Sequence, residues 1–355
     1  MAGQRWSSNK DKTESRKSDK MMKTRNCFNC LLVLALTFTS TTRAVPLQKG
    51  LVPDDAKWLI HLDLDSLRES KLGDVVLNQM LAGPLAQLKT EMKVDGQLIL
   101  QKVHSITAFG NDFKAGPKAN GVLLLNGEEE TRKIVEGFLA AQDLQDSKGS
   151  IKKLQQDPFV LYSINDEIFV APRLAGQIVV SKSRKQIEEV RNVLSDKARI
   201  SGHDPFSGYA KAPDNFFLLA VAEGFNENAG LPAQAKILNK ADGARLLLGE
   251  KTDMLFLNLA LKAKDSDIIQ QIRQVIEGMT ALVALGQSEN KELLELVQAT
   301  KVSSNEKSVT VNIEYPLSKV FAHLEGVSQH LQKNLGKPSR AKHAKSKPEK
   351  SADSE

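Results

Sequence analysis

Apolar and polar residues alternate with period two through KWLIHLDL, Lys57 to Leu64. Trp58, Ile60, Leu62 and Leu64 fall on one side and Lys57, Leu59, His61 and Asp63 on the other, which predicts a strand. Ser66 and Glu69 have capping-box spacing, so a helix is predicted from Asp65 to about Leu88, interrupted near Gly83 and Pro84. Strands are predicted at Ser105 to Phe109 and Gly121 to Leu125, then a helix over 129–141 with Ile134, Val135, Phe138 and Leu139 on one face. Short strands follow at Phe159 to Ile164, Glu167 to Val170 and Gln177 to Ser181. Ser183 then opens a helix carrying Ile187, Val190, Val193 and Leu194, with Gln186 at the capping-box position.

The second half repeats this order. Ala212-Pro213-Asp214-Asn215 parallels Val52-Pro53-Asp54-Asp55 at an offset of 160, and each precedes a strand, here Phe216 to Ala222. Strands at Ala244 to Leu248 and Asp253 to Leu261 lead to a long helix with Ile268, Ile269, Ile272, Val275, Ile276 and Met279 at helical spacing. A helix near Glu292 to Ala299, the alternating strand SVTVNIEY at Ser308 to Tyr315 and a last helical stripe of Leu317, Val320, Phe321, Leu324 and Val327 complete it. Strands joined by short turns between single helices predict an α+β fold of two similar halves, 45–203 and 204–330, with mostly antiparallel sheets and helices packed on one face.

Before these halves, CLLVLALTF, Cys30 to Phe38, follows a basic segment and precedes TSTTRA, with Thr42 and Ala44 at the small-residue positions of a cleavage site. The run has the length of a signal-peptide core, well short of the roughly 18 residues that span a bilayer, so residues 1–44 are expected to be an export signal. Met21-Met22-Lys23 and Arg25 would alone make an ordinary basic segment, so translation is expected to start at Met1, Met21 or Met22. Export places the mature chain, from Val45, in a periplasmic or extracellular setting. Cys27 and Cys30 are the only two cysteines, so cleavage leaves no thiol chemistry and no disulfide.

The chain is 41% hydrophobic, 26% charged and 5% aromatic, a globular balance, and its net charge of +6 sits at the two ends. Residues 45–330 carry 33 Lys/Arg against 37 Asp/Glu, so the body is mildly acidic, and no specific nucleic-acid binding is expected. Residues 331–355 hold seven Lys/Arg and three acids without an aromatic residue, and are expected to be a disordered tail open to salt-sensitive contact with anionic polymer or lipid.

Of the chemical candidates, His61, Asp63 and Asp65 are the sharpest. Residues two apart in a strand face the same way at about 6.5 Å, so His61 and Asp63 could share a divalent metal with a ligand from a neighbouring strand. Competing with that, Asp65 is expected to start the helix and Asp63 to bond loop amides. The other histidines, His104, His203, His323, His330 and His343, are scattered, and no HExxH occurs. Gly243 to Thr252 has the outline of a phosphate loop, but Glu250 precedes the lysine and the segment is apolar. A turn between two strands at Gly249 to Asp253 is expected instead. Ser183 and Ser207 lack the glycines of a nucleophile elbow. Glu128-Glu129-Glu130 reads as dipole-favoured charge at a helix start, and the carboxylate pair of a glycosidase has a spacing that only the fold sets.

Pro53, Asp54, Ala56, Trp58, the His61-x-Asp63 strand and the helix with Ser70 and Gly73 resemble the mature N-terminus of exported, uncharacterised proteins of planctomycete-type bacteria. The resemblance implies export and carries over no catalytic residue. Together these features lead to an expected exported, non-enzymatic binding or structural module of the envelope, with no cofactor and with an envelope component as partner. The alternative is a metal-dependent hydrolase using His61 and Asp63.

Overall fold

The computed structural model describes residues 47, 52–53, 55–92, 95–113, 121–145, 149–195, 215–224, 238–286 and 291–322. Residues 1–44, expected above to be an export signal, the basic segment 331–355, Ser207, His203, His323, His330 and His343 lie outside them.

One antiparallel sheet of twelve strands runs through both halves in the order β11-β12-β10-β9-β8-β1-β2-β3-β7-β6-β5-β4. Its first half holds β1 (Trp58–Asp63), β2 (Val103–Gly110), β3 (Val122–Gly127), β4 (Ile151–Gln155), β5 (Leu161–Ile164), β6 (Ile168–Leu174) and β7 (Gln177–Ser181). The second holds β8 (Phe216–Glu223), β9 (Gly243–Lys251), β10 (Met254–Lys262), β11 (Thr300–Ser304) and β12 (Ser308–Pro316). In each half three strands are laid side by side, a helical crossover follows, and a second set of strands returns so that its last member pairs with the third strand, β7 with β3 and β12 with β10. The halves meet where β1 pairs with β8. At the centre of that seam Ile60 faces Ala220, the same offset of 160 at which the sequence repeats. The fold is therefore α+β, as the order of elements predicts.

The tight turns follow from backbone chemistry. Thr252 and Asp253 between β9 and β10, and Asn165 and Asp166 between β5 and β6, all have positive φ, the type I′ geometry whose twist matches that of the flanking strands. The Gly249 to Asp253 region is thus a strand end and a hairpin, as expected.

Helices α1 (Leu64–Arg68), α2 (Lys71–Gly73), a π-helical stretch at Asp74–Met80, α3 (Ala82–Met92) and α4 (Gly96–Lys102) fill the link between β1 and β2. Their apolar side chains Leu64, Leu67, Leu72, Val76, Leu77, Leu81 and Leu85 pack with Leu62 and Leu317 over the centre of the sheet. On the same face lie α5 (Glu129–Gln145), through Leu139 on Tyr162, Val170 and Ile178, and α7 (Ser266–Gly286), through Ile269 and Ile272 on Leu261 and Val309. Helix α8 (Lys291–Gln298) packs back on α7 beside β11. One described helix, α6 (Arg184–Ser195), takes the other face, where Ile187 and Val190 meet Leu59, Phe109, Leu124 and Val179.

Two local expectations are corrected. The first helix is capped by Asp63 rather than Ser66: the Ser66 N–H donates to Asp63 Oδ1 at 2.9 Å, and Asp65 sits in the first turn. Gly83 and Pro84 do not interrupt a helix but lie in the first turn of α3, where a missing N–H costs no intrahelical bond. The actual breaks fall at Glu69–Ser70 and at Leu81.

Candidate functional site

Asp63 ends β1 and its carboxylate is occupied by the next turn. Ser66 donates from its N–H to Oδ1 and from its hydroxyl to Oδ2, at 2.9 and 2.7 Å. Two residues earlier on the same sheet face, buried His61 places Nδ1 2.9 Å from the hydroxyl oxygen of Thr107, its register partner on β2. The structure thus puts His61 and Asp63 side by side as the strand period requires, each engaged by a hydroxyl. Among the described residues no group of three His, Cys, Asp or Glu side chains is placed to hold a metal ion.

Asp65 does something the sequence did not indicate. Its carboxylate bridges Arg68, one turn on, and His104 at the start of β2, with Oδ2 2.9 Å from His104 Nδ1. A carboxylate only accepts, so the shared proton is on Nδ1 and a neutral His104 keeps its lone pair on Nε2. Arg68 also donates to the carbonyl oxygens of Leu100 and Val103, tying α1 to the junction of α4 and β2. The pair is 39 residues apart in the chain, and only the β1–β2 register brings it together.

The acidic run stands at the start of α5, with Glu129 and Glu130 in its first turn. Lys102 beside Glu128 holds that carboxyl below the usual range, and Arg132 with Arg173 does the same for Glu129. At α6, the Gln186 N–H donates to Ser183 Oγ at 3.4 Å, the expected cap in a long form.

Three further groups have roles that the sequence reading did not assign. Ser70 Oγ accepts from the Gly73 N–H at 2.8 Å and donates to the Leu67 carbonyl at 2.9 Å, closing the turn between α1 and α2. Glu250, buried at the end of β9, accepts from the N–H groups of Lys71 and Leu72 at 3.4 and 3.2 Å, and Lys71 Nζ pairs with Asp253. The second half therefore caps a helix of the first, using the glutamate that spoils the phosphate-loop outline. Finally, Arg245 Nη2 donates to Asn258 Oδ1 at 3.2 Å and Asn258 donates to Asn312 at 2.7 Å, a polar ladder across β9, β10 and β12 on the face that carries His61. Its signal in the sequence is an Arg and an Asn inside otherwise apolar strands.

The Glu250 clasp gives a graded expectation. Glu250→Ala strips two amides of their acceptor and should lower unfolding stability by about 2 kcal/mol, Glu250→Gln by about half of that. Lys71→Ala, which removes only an exposed ion pair with Asp253, should change it far less than either Glu250 variant. Equilibrium urea denaturation of the three variants checks the order.

Outward-facing apolar side chains are the other notable surface feature. Met279, Leu282, Val283 and Leu285 on the last turns of α7 are exposed, Leu282 at 66% and Leu285 at 77%. No helix of the described residues is long and apolar enough to cross a membrane.

No protein-family model matches the chain, and no curated protein matches it. Three solved structures are similar at low identity. Crystal form I of TP0453 is 11% identical, with 81% of this chain and 100% of that chain covered at a TM-score of 0.39. Form III is 11% identical over 78% and 97% at 0.43, and form IV 9% identical over 81% and 96% at 0.39.

Proposed function

We propose that this chain is an exported, non-enzymatic protein of the envelope, periplasmic or extracellular, that works by binding an envelope component on the outside of a rigid two-half sheet. The observation that carries this reading is the contrast between its chemical and its apolar groups. His61, Asp63, Ser70 and Glu250 each bond within the fold, whereas Leu282 and Leu285 are turned outward. A buried polar group that closes a turn or caps a helix serves the fold, while a cluster of large exposed apolar side chains marks a contact surface. The signal-like pattern of residues 1–44 supports the export part.

The test combines processing with metal content. Native mass spectrometry of the exported protein, dialysed without chelator, should give the mass of a chain starting at Val45 with no bound metal. One divalent metal per chain, lost in His61→Ala together with a hydrolase activity, would overturn the reading in favour of the metal-dependent hydrolase. Retention of residues 1–44 on a chain that stays in the cytoplasm would overturn export.

A further inference from the structure

We propose that two copies of this chain join edge to edge through β11, antiparallel about a two-fold axis, with the free ends of their α7 helices packed together over the joined strands; this rests on the binding reading above and names the envelope component as a second copy. The internal repeat shows what such an edge takes. Counting outward from the seam pair of Ile60 and Ala220, Val170 and Val302 each stand on the fifth strand, Val170 on β6 against Val180 of β7 and Val302 on β11 against Val311 of β12. In the first half the sheet goes on: β5 pairs antiparallel with β6, setting Tyr162 opposite Val170, and β4 follows. In the second half β11 is the last strand, and Val302 is only partly buried where Val170 is buried.

The same comparison accounts for the exposed end of α7. The cluster beneath α5 runs across five strands, from Leu125 of β3 through Ile178, Val170 and Tyr162 to Ile151 of β4. The cluster beneath α7 takes in Leu261 of β10, Val309 of β12 and Val302 of β11, and there the sheet ends. Yet α7 is the longer helix, 21 residues against 17, about 31 Å over three strands that together span about 10 Å. Met279, Leu282, Val283 and Leu285, all exposed, belong to the turns that outrun the sheet. The strands missing beneath them are what the β11 and β12 of a second copy supply.

Backbone chemistry separates the two outer edges of the sheet. On β4 the Lys153 N–H donates to Asp143 Oδ1 at 3.1 Å and the register shifts between Lys153 and Gln155, so that edge is blunted against a partner. Among the described residues no hydrogen bond reaches the outer edge of β11, whose bonds are the β12 ladder and one from the Thr300 hydroxyl to the Leu296 carbonyl. Its sequence, TKVSS, pairs with itself. With Val302 on the axis, Val302 faces its own copy on the face that carries α7, and Thr300 faces Ser304. Lys301, the one charge of the strand, faces Ser303 of the second copy rather than another lysine. Such a pairing uses the same patch on both chains and therefore closes at two copies.

Sedimentation equilibrium of the processed full chain, from about 1 to about 100 μM, tests this. A five-residue edge and one helix end make a small interface, so a reversible monomer–dimer equilibrium with a dissociation constant on the order of 10 μM is expected, and dilute protein is monomeric. Leu282→Ser with Leu285→Ser should weaken the dimer by about tenfold or more, with an unchanged far-ultraviolet spectrum. Ser303→Lys sets like charges opposite each other at both Lys301 positions and should weaken it by about fivefold. Ser303→Glu pairs with Lys301 and should tighten it by a similar factor, both differences shrinking in about 0.5 M salt. A chain of monomer mass at every concentration, or a dimer indifferent to both Ser303 variants, would overturn the proposal. So would a monomer that floats with phosphatidylglycerol vesicles and loses them in the double-serine variant, which would assign the end of α7 to lipid. None of these outcomes bears on metal content, hydrolase activity or processing, so the two readings fail separately.

Discussion

Gly73→Ala is expected to lower unfolding stability by about 3 kcal/mol or more. A Cβ there would overlap the carbonyl oxygen of Leu67 outright and lie 2.7 Å from its carbonyl carbon. The obstacle is backbone, so no rotamer change relieves it. Leu67 is itself buried among Leu62, Leu64 and Leu72, and the same carbonyl accepts from Ser70 Oγ. The turn between α1 and α2 must open, which loosens both helices over the sheet centre. Gly83→Ala and Gly137→Ala are the controls. Both glycines are helical with open space where the methyl would go, and each replacement should stabilise by about 0.5–1 kcal/mol. Urea midpoints of the three variants decide the matter, and a Gly73→Ala protein as stable as its parent would show that the turn is not constrained as described.

Ile272→Ala is expected to cost about 3 kcal/mol, and Leu282→Ala, ten residues along the same helix, less than about 0.5 kcal/mol. Ile272 is fully buried in a cluster with Leu261, Ala263, Val309 and Ile269, and truncating it leaves a cavity where α7 crosses the outer strands. Leu282 is two-thirds exposed and loses little contact on truncation. Chemical denaturation of an alanine series along α7 should therefore show a steep fall in cost between Ile276 and Leu282. A flat profile would mean that the far end is as firmly seated as the near one.

Where the sequence was legible, the reason is one-sided burial. Val311 and Tyr315 of β12 and Ile187 and Val190 of α6 are buried while their immediate neighbours are not, so period two and period 3.6 stand out. The edge strands β4 (IKKLQ) and β11 (TKVSS) bury no residue fully and alternate weakly, which is why neither was expected. Helix α4 escaped because Leu98-Ile99-Leu100 is a short continuous apolar run, ambiguous between helix and strand. The π-helical stretch at Asp74–Met80 has no signature in side-chain pattern at all.

For the candidate site, the spacing of His61 and Asp63 correctly set them on one face of β1. It did not reveal that Ser66 would occupy both carboxylate oxygens, because the cap shifted from Ser66 to Asp63. The Ser70 and Gly73 pair was visible as a pattern and is explained by one crowded carbonyl. Glu250 and the Asp65–His104 pair depend on contacts across 178 and 39 residues, which local periodicity does not encode.

The seam at Ile60 and Ala220 has a consequence for the order of folding. The hairpins within each half close over a few residues, β9–β10 through a two-residue turn, and bear little entropic penalty. Strand β1 must wait for a partner 160 residues downstream. While the chain is being synthesised from its N-terminus, one edge of β1 therefore stays open until β8 has emerged. During that interval Trp58, Leu59 and Ile60 border an unpaired strand, the segment most exposed to pairing with another nascent chain and the one where a chaperone would be of most use.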